Sequence, residues 1–404
     1  MLSLEILTRL LGFRKYVAEQ VDWFSGWITI RLKRKPGPYV CPRCGEQYLV
    51  YHDRLGRFLR DLNLGRRKTL LDVPQYRLDC DGCGRQRERL PFARPGARAT
   101  HRFEQLLFDL TADMTVKAVA RRTQTNWKTV KEAEVRYIRG LLRKRKLDGI
   151  RRLGIDEVAE RSGHRYLTLV TDLDEHRVIW VGPGRSRGTL GRYFRWFGPR
   201  RTRELRVVVI DMHDPYALEI AAQAPKAAIV YDRFHVMKHL NLAVDLVRRR
   251  LQRQMPAADR RVIKNKRYVI LKARENLTSK ERVGLKELLG ANEEISTAYI
   301  LKEDFREWFG CDSRTDARAY LRDWVAKVQE SGIPELLQFA ELLHRRRRGL
   351  RNYFQYKLTN SLSEGFNNVV KTIKKMAYGF HDSDYFRLKI LRKCGKLETE
   401  DIDD

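Results

Sequence analysis

Acidic residues are scarce in this sequence relative to basic ones. The 404 residues include 51 Asp and Glu against 82 Lys and Arg, a formal net charge of +31 at neutral pH. A surplus of this size attracts polyanions, and an ordinary enzyme of small metabolites does not need it. Nucleic acid is the expected partner, because each neutralised phosphate releases counterions and adds affinity. A membrane surface is disfavoured, since the basic residues are spread over the whole chain rather than along one amphipathic helix.

Long apolar runs are also absent. No stretch of the sequence approaches the roughly 18 consecutive apolar residues that span a bilayer. The first residues, Met1–Glu5, lack the basic start and the apolar run of a secretory signal, so we expect a cytoplasmic, nucleoid-associated protein. Apolar residues nevertheless make up 43% of the chain and aromatic residues 10%, which predicts two or three folded domains rather than a disordered chain.

Cysteine is rare and unevenly distributed. Six cysteines in 404 residues are too few for a disulfide scaffold, but four of them form two CxxC motifs. Two residues between thiolates let both sulfur atoms reach one tetrahedral Zn²⁺ at about 2.3 Å, so we expect a structural zinc site with the ligands Cys41, Cys44, Cys80 and Cys83. The 35 residues between the motifs imply an inserted hairpin or strands. Four reduced thiols or a redox pair are the alternatives.

Hydrophobic periodicity divides the chain into four parts. Short alternating runs typical of strands precede residue 95, and a stretch with two prolines and a glycine then marks a linker. The next part has a helical pattern. After residue 150, apolar strand-like runs come with helical patterns between them, which indicates a multidomain protein with an α/β layer structure. The predicted domains are residues 1–95, residues 100–147, residues 150–235 together with 359–395, and a helical, basic segment at 236–358.

Residues 114–131 have the pattern of a helix-turn-helix. Val116, Val119 and Ala120 are spaced to form the inner face of a first helix, and a polar turn separates them from a second helix with Trp127 and Val130. The residues expected to face the major groove or its phosphates are Gln124, Thr125, Asn126, Lys128 and Thr129. The basic run expected to contact phosphates after the second helix is Arg143, Lys144, Arg145 and Lys146. An ordinary helical hairpin with a solvated basic run is the alternative.

Three acidic residues have the placement that metal-dependent phosphoryl transfer requires. Asp156 lies on the first strand of the α/β region, and Asp211 ends its most apolar run, Val207–Ile210. Glu364 lies on a helical stretch with an apolar stripe. Two strand-end Asp residues, a long helical segment and a helix Glu predict a site for two metal ions about 3.5–4 Å apart. Each acid alone would more often be a surface or capping residue.

Four further residues are candidates for supporting roles. Asn368 and Lys371 lie four and seven residues after Glu364 and therefore on the same helix face, where an amide and an ammonium suit a phosphate backbone. Asp232 and His235 follow the last predicted strand, and Asp232 is the alternative metal ligand. A lone His is more often structural, which is the alternative for His235.

With these motifs in place, the chain resembles bacterial insertion-sequence DDE transposases of the ISL3 family. Besides the CxxC pairs and the helix-turn-helix, the stretches that carry the resemblance are Gly154–Glu157, Tyr231–Val236, Asn360–Lys375 and Ala377–Phe380. The resemblance implies a ribonuclease-H-like catalytic domain at residues 150–235 and 359–395, with an all-helical insertion at 236–358. It also implies that Asp156, Asp211 and Glu364 form the catalytic triad.

The resemblance further implies the reaction and its partners. The N-terminal modules would bind the terminal inverted repeats of a mobile element, and two Mg²⁺ ions at the triad would support strand cleavage and strand transfer to target DNA. A homodimer or larger synaptic complex is expected, because two element ends are cut together. The arginines expected to hold phosphates are Arg248–Arg250, Arg260, Arg261, Arg345, Arg346, Arg347 and Arg348. The alternatives are a ribonuclease-H-like nuclease and a zinc-containing DNA-binding transcriptional regulator without catalysis.

Overall fold

The computed structural model describes residues 3–161, 165–256, 260–263, 266–377 and 379–397. These residues form two compact units, one that reaches Arg145 and one that extends from Lys146 to Lys396. Within the described ranges, neither unit has a helix that is long and apolar enough to cross a membrane.

The N-terminal unit begins with a helix and continues as a sheet and further helices. Its elements are α1 (Leu4–Leu11), β1 (Tyr16–Trp23), β2 (Trp27–Arg34), β3 (Tyr39–Val40), β4 (Gln47–Tyr48), β5 (Asp53–Leu64), β6 (Arg67–Cys80), β7 (Gly84–Arg87), α2 (His101–Leu110), α3 (Val116–Arg122) and α4 (Trp127–Lys144). The main sheet has the order β1-β2-β6-β5, with β7 paired to β6. Side-chain alternation places Ile28, Ile30, Leu59 and Leu71 in one core with Leu7 of α1.

Strands β5 and β6 form a long antiparallel hairpin between the two cysteine pairs, as the 35-residue gap predicted. Helices α2, α3 and α4 have a small core of their own. Val119, Ala120 and Val130, predicted to face inward, are all buried in it. Val116 is partly buried against the same core, whereas Trp127 is 47% exposed at the start of α4. The pattern therefore identified the core residues except at Trp127.

The C-terminal unit is built on a mixed sheet. Its elements are β8 (Arg152–Arg161), β9 (Arg165–Asp172), β10 (Arg177–Pro183), α5 (Arg187–Phe197), α6 (Pro199–Glu204), β11 (Val207–Ile210), α7 (Asp214–Gln223), β12 (Ala228–Tyr231), α8 (Arg233–Gln254), α9 (Arg260–Ile263), α10 (Arg267–Leu271), a 3₁₀ turn (Arg274–Asn276), α11 (Ser279–Ala291), α12 (Glu293–Trp308), α13 (Arg314–Ser331), α14 (Pro334–Tyr356), α15 (Ser361–Met376) and α16 (Ser383–Cys394). The strand order is β10-β9-β8-β11-β12. Strands β10, β9 and β8 are antiparallel, whereas β8, β11 and β12 are parallel, so the predicted α/β layer structure is confirmed.

Alternation along β8 separates the two layers that cover the sheet. Val158 belongs to an apolar cluster with Val370 of α15. Ile155 belongs to the core on the opposite face, where α5 covers the sheet. Successive residues of a strand point to opposite faces, so Asp156 lies on the α15 side and Glu157 on the α5 side.

The helical insertion shares its core with the sheet. One continuous cluster of buried apolar residues extends from β11 and β12 through α8, α12, α13 and α14, with Phe305 and Trp308 at its aromatic centre. Helix α14 crosses β12 so closely that Gly349 has no room for a β-carbon beside Tyr231. The helical segment predicted at 236–358 is therefore packed as one unit with the sheet.

Three arginines of α8 stabilise the insertion. Arg248 and Arg249 pair with the buried Asp245 at 2.8 and 2.9 Å. Arg250 pairs with Glu294 of α12 and Glu335 of α14. Asp245 is buried and requires a charged partner, which Arg248 and Arg249 supply, whereas Arg250 joins α8 to α12 and α14. That this run also holds phosphates stays a prediction.

Replacing Gly349 with Ala is expected to destabilise the C-terminal unit by roughly 1–3 kcal/mol, as at other overpacked sites. The added β-carbon would lie 2.5 Å from Cε2 of Tyr231, whose ring is buried. Gly290→Ala is the matched control, because Gly290 is exposed on α11 with open space around its β position. That variant should gain up to about 1 kcal/mol of helix propensity. Denaturant unfolding followed by circular dichroism measures both, and equal stability of the two variants would contradict the close packing.

Candidate functional site

Three aspartates lie at one level of the parallel strands. The β8–β11 register pairs Val209 with Gly154, so Asp211 and Asp156 each follow two residues later at the same level. The β11–β12 register puts Asp232 beside Asp211. Asp156 lies within β8, which continues beyond it, rather than at the strand end that the sequence predicted.

The carboxylate of Asp156 is held from two sides. Its Oδ1 accepts a hydrogen bond from the backbone N–H of Glu157 at 2.8 Å, and its Oδ2 accepts one from the side-chain amide of Asn367 at 2.9 Å. Burial raises the pKa of this carboxyl above its ordinary value, while the hydrogen bond from Glu157 and the charge of His235 oppose the rise. The two hydrogen bonds fix the direction in which the carboxylate points.

Asp211 follows directly after β11 and has an unused oxygen. Its Oδ1 is buried and has no hydrogen-bond partner among the described residues. Burial raises the pKa of the Asp211 carboxyl, the charge of His235 opposes the rise, and the nearby Glu157 adds to it. A buried polar atom without a partner costs about 1–3 kcal/mol, so in a folded protein such an atom often marks a ligand position.

Asp232 connects the starts of two helices. Its Oδ1 accepts a hydrogen bond from the N–H of Phe234 at 2.8 Å, which caps α8. Its Oδ2 accepts one from the N–H of Asn360, also at 2.8 Å, just before α15. Both carboxylate oxygens accept backbone N–H groups, so Asp232 joins the starts of the two helices; its alternative role as a metal ligand stays a prediction.

Asn360 fastens the start of α15 to β8. Its amide nitrogen donates to the carbonyl of Ile155 at 3.2 Å, and its amide oxygen accepts from the Ser363 hydroxyl at 2.6 Å. Gly154 is required next to it, because a β-carbon there would collide with the Asn360 amide oxygen. Asp232 and Asn360 therefore tie both ends of the insertion to the sheet.

Helix α15 carries Glu364 and Asn367 one turn apart on one face. Asn367 reaches Asp156, whereas the side chain of Glu364 is exposed. In the described ranges, the cysteine quartet alone brings three or more potential ligand atoms within 4.8 Å of one another, so the three predicted acids are not in mutual contact. Repulsion between partly buried carboxylates opposes closer approach. Asn368 and Lys371 are exposed, with Lys371 Nζ 3.4 Å from Asn368 Oδ1.

Two side chains near the aspartates, Asn367 and Glu157, were not predicted from the sequence. Asn367 is three residues after Glu364, and this helical spacing was the available signal. Glu157 has Oε1 3.8 Å from Nδ1 of His213 and Oε2 3.6 Å from a guanidinium nitrogen of Arg185. Burial raises the pKa of Glu157, and Arg185 opposes the rise. Glu157 and Asp156 are adjacent on β8 and point to opposite faces of the sheet. The alternation of side chains along a strand was therefore the signal that could have distinguished the two acids.

Four cysteines form a second site, in the N-terminal unit. The sulfur atoms of Cys41, Cys44, Cys80 and Cys83 all lie within 4.8 Å of one another, and those of Cys44 and Cys80 are 3.5 Å apart. A hydrogen bond with Tyr48 lowers the pKa of the Cys80 thiol to about 6, which favours the thiolate form that metals bind. Four converging thiols on two turns fit tetrahedral Zn²⁺ and leave no position for a substrate, so this site is structural.

The helix-turn-helix predicted at residues 114–131 is present. The side chain of Thr115 caps α3, and that of Asn126 caps α4 by accepting the N–H of Lys128 at 2.8 Å. Gln124 makes the turn with a left-handed backbone, φ 51°. Of the residues predicted to face DNA, the exposed ones are Gln124, Asn126 and Lys128, and the half-buried ones are Thr125 and Thr129. Asn126 therefore has a capping role besides any contact with DNA.

The basic residues predicted to contact phosphates differ in exposure. The exposed ones are Arg143, Lys144, Lys146, Arg345, Arg347 and Arg348. Arg145 is half-buried. Arg346 pairs with Asp214 at the start of α7 and lies near the ring of Tyr231. Its guanidinium therefore helps to hold α14 beside α7 and β12, and the phosphate contact at this position stays a prediction.

The sequence matches three family models in the order of these sites. A transposase model of the ISL3 family matches residues 153–390. The helix-turn-helix domain of transposase family ISL3 matches residues 88–138, and the zinc finger of the IS204, IS1001, IS1096 and IS1165 transposases matches residues 37–83. The chain belongs to the ISL3 family of transposases. It is a DDE transposase, a DNA-cleaving and strand-transferring enzyme, with a zinc ribbon and a DNA-binding helix-turn-helix before the catalytic domain.

Two curated relatives support this family assignment over most of the length of the transposase. The transposase of insertion sequence IS1001 from Bordetella parapertussis is 36% identical over 399 residues, which cover 96% of this chain and 98% of the relative. The transposase of IS1557 from Mycobacterium tuberculosis, matched in two strains, is 29% identical over 366 residues. The match covers 84% of this chain and 82% of the relative. The similarity therefore extends across the zinc, helix-turn-helix and catalytic parts together.

Replacing Cys80 with Ser is expected to remove most of the bound zinc, because a structural Zn²⁺ held by three thiolates loses a quarter of its ligand set. Zinc per chain, measured by plasma mass spectrometry, should fall from about one equivalent to well below it. Cys311→Ser is the control, since Cys311 is a half-buried thiol outside the quartet. Equal zinc content in the two variants would show that the quartet is not the zinc site.

Replacing Asp211 with Asn is expected to stabilise the metal-free transposase at neutral pH. The raised pKa means that the folded state favours the uncharged carboxyl, so ionisation costs stability above the folded-state pKa. Below the ordinary carboxyl pKa of about 3.9 the group is protonated in both states, and the difference disappears. In buffer without Mg²⁺ or Mn²⁺ and with the structural zinc retained, the unfolding temperature of the variant should exceed that of the wild type, by about 2–4 °C for each kcal/mol of stability gained. The difference should narrow as the pH falls.

Addition of Mg²⁺ or Mn²⁺ should raise the unfolding temperature of the wild type more than that of Asp211→Asn, because bound cations stabilise the state that holds them. Asp312→Asn is the control, since Asp312 is an exposed acid on the same unit. If Asp211→Asn and Asp312→Asn have the same unfolding temperature with and without metal, the Asp211 carboxylate neither destabilises the metal-free fold nor binds the cation.

Proposed function

We propose that this transposase cleaves DNA at the terminal inverted repeats of its element and joins the freed 3′ ends to target DNA, with divalent ions held by Asp156, Asp211 and Glu364. The observation that carries the proposal is the pair Asp156 and Asp211, level with each other on neighbouring parallel strands. Burial raises the pKa of both carboxyls. Adjacent carboxylates with perturbed pKa values are typical of catalytic sites.

The strand arrangement supports a ribonuclease-H-like catalytic domain. Three antiparallel strands, β10, β9 and β8, are followed by the parallel strands β11 and β12. Helix α15, which carries Glu364, packs on the face of the sheet to which Asp156 points. The helical insertion enters between β12 and α15, so the third acid comes from a part of the chain far from the first two.

The donor atoms suit Mg²⁺. The candidate ligands are carboxylate oxygens, and Oδ1 of Asp211 and Oδ1 of Asn367 are buried without a hydrogen-bond partner in the described part of the chain. Mg²⁺ prefers such oxygen ligands and keeps several waters, so two Mg²⁺ ions are the cofactors we expect. When bound, a pair of these ions activates the attacking oxygen and stabilises charge at the scissile phosphate.

The residues of the chain have separate tasks in this proposal. Asp156, oriented by Asn367, and Asp211 present oxygens at fixed positions on the sheet. Glu364 supplies the third carboxylate from α15, whose start is fixed by the hydrogen bonds of Asp232. Rigid placement of this kind favours in-line attack, because phosphoryl transfer depends on positioning and charge stabilisation. No covalent intermediate with the protein is required.

The remaining supporting residues act through charge and phosphate contact. His235 lies near Asp156 and Asp211, and its charge opposes the rise in pKa that burial causes at both carboxyls. It therefore favours their ionised forms. Asn368 and Lys371 are exposed on α15 beside Glu364, where an amide and an ammonium can contact the DNA backbone.

Recognition of the terminal repeats is assigned to the N-terminal unit. The exposed Gln124, Asn126 and Lys128 lie at the start of α4, the position from which a recognition helix contacts the major groove. Coordinated cutting of two ends requires a homodimer or larger synaptic complex. Chromosomal DNA as the substrate places the reaction on the bacterial nucleoid, in the cytoplasm.

Replacing Glu364 with Gln is expected to lower Mg²⁺-dependent cleavage of DNA with the element's terminal repeats by more than about a hundredfold, since even outer-shell partners of a metal cost about 10–100-fold. Binding of the same DNA should be unchanged, because the amide keeps the shape of the side chain and lies outside the recognition helix. Gel-resolved cleavage products and fluorescence anisotropy measure the two properties separately.

The matched control is Glu341→Gln, an exposed acid on α14 of the same unit. Its cleavage rate should equal that of the wild type. If wild type and Glu364→Gln both bind but neither cuts with any divalent ion, the catalytic proposal fails and a DNA-binding regulator is the better description. If Glu364→Gln cuts at the wild-type rate, the third acid has been assigned to the wrong residue.

A further inference from the structure

Three large aromatic side chains are exposed at one turn of the N-terminal sheet. Trp23 ends β1, Trp27 begins β2, and Phe24 lies in the turn between them, with exposed fractions of 60%, 41% and 46%. The rings of Phe24 and Trp27 are stacked, with centroids 5.0 Å apart and an interplanar angle of 16°. Exposure of three such side chains at one turn is unusual, because large aromatics normally provide buried area.

A basic turn lies next to the aromatic one. The parallel register of β2 and β6 pairs Trp27 with Lys68, and the N–H of Lys68 donates to the carbonyl of Gly26 at 3.1 Å. The β5–β6 turn, with the exposed Arg66 and Arg67, therefore lies at the same end of the sheet. We name this surface the aromatic–basic tip; it consists of Trp23, Phe24, Trp27, Arg66 and Arg67.

The charges of the tip are not neutralised within the unit. Arg67 lies over the ring of Trp23, 5.6 Å from its centroid. Among the described residues, no carboxylate lies within ion-pair distance of Arg66 or Arg67. The tip is also outside the cysteine quartet and the helix-turn-helix, so neither of those modules accounts for it. Exposed rings beside unpaired guanidinium groups are complementary to a ligand with flat apolar faces and negative charge.

DNA with an unpaired base has this chemistry. In a duplex the faces of the bases are covered by their neighbours, whereas an unpaired base offers a face for stacking beside its phosphate. Aromatic side chains stack on such bases with little sequence preference, and arginines contact the adjoining phosphates. Wedges of this type also enter between base steps that are already distorted.

We propose that the aromatic–basic tip binds an unpaired base of DNA, with Trp23 or the Phe24–Trp27 pair stacked on the base and Arg66 and Arg67 on the flanking phosphates. The inference rests on the proposed DNA-processing function and adds a second DNA contact to it, separate from the recognition helix. A second copy of this chain is the rival occupant, but pairing two tips would bring Arg66 and Arg67 of one copy against the same two cations of the other.

The test uses the full chain with zinc bound, in chelator-free buffer without Mg²⁺ so that no cleavage occurs. The two probes are a blunt duplex of unrelated sequence and the same duplex with one unpaired 2-aminopurine. The wild type should bind the second probe about 5- to 100-fold more tightly, the range that stacking of one base provides. The 2-aminopurine fluorescence should be quenched on binding, because stacking on an aromatic ring quenches it.

The double variant Trp23→Ala with Trp27→Ala should lose both the preference and the quenching, while its affinity for the blunt duplex stays the same. The double variant Trp23→Phe with Trp27→Phe keeps aromatic rings and should retain most of the preference. Phe58→Ala is the matched control, because Phe58 is 63% exposed on the same sheet but away from the tip. Zinc content and circular dichroism identify any variant that fails to fold.

Two outcomes overturn the proposal. The first is a wild type without preference for the unpaired base, or an alanine variant that keeps it. The second is an alanine variant that, in the absence of DNA, has a lower molecular mass in solution than the wild type but binds both probes equally well. That result would make the tip an interface between subunits. The probes carry no terminal repeat, and the measurement requires no cleavage. A transposase that fails to cleave its terminal repeats would therefore contradict the proposed function without affecting the result of this test.

Discussion

The parallel pairing of β8, β11 and β12 is the constraint on which the catalytic unit depends. One register sets Asp156 level with Asp211, and the next sets Asp211 level with Asp232. A shift of one residue in either pair would turn a carboxylate to the opposite face of the sheet. The four buried apolar residues of β11, Val207–Ile210, oppose such a shift, because both faces of that strand are covered.

The three level aspartates then differ by what surrounds them. Asp232 gives both oxygens to backbone amides and connects the two ends of the insertion, whereas Asp156 keeps a fixed direction and Asp211 keeps an unused oxygen. Hydrogen bonding to a carboxylate stabilises its charge, and burial without such bonds disfavours it. Equivalent positions on neighbouring strands therefore differ in hydrogen bonding: Asp232 joins two helix starts, whereas Asp211 has an oxygen without a partner among the described residues. The backbone N–H of Asn360 donates to Asp232 at 2.8 Å, and the side-chain amide of Asn360 donates to the carbonyl of Ile155. These two bonds fix the start of α15 relative to the strands.

The large positive charge of the chain is used in two ways. Inside the C-terminal unit, Arg250 connects α8, α12 and α14 through Glu294 and Glu335, and Arg346 fixes α14 beside the sheet. The acidic partners are partly exposed at Glu294 and Glu335 and exposed at Asp214, so these pairs position helices rather than neutralise a buried charge. At the surface, exposed cations such as Arg345 and Lys128 remain available for phosphate. A run of arginines in the sequence does not separate these two uses, since exposure depends on which neighbouring helix supplies an acid.

The sequence by itself determined the modules and their order, because each depends on local spacing. Two CxxC motifs specify a thiolate site, a helix-turn-helix has its own small core, and the apolar strand ending in Asp211 marks the sheet edge. The tertiary structure alone decided the contacts between distant segments. The bond from Asn367 to Asp156 and the one from Asp232 to Asn360 join residues more than a hundred positions apart, and no periodicity encodes them. Such contacts follow from strand register and from the packing of the insertion against β12, which are set by the whole core at once.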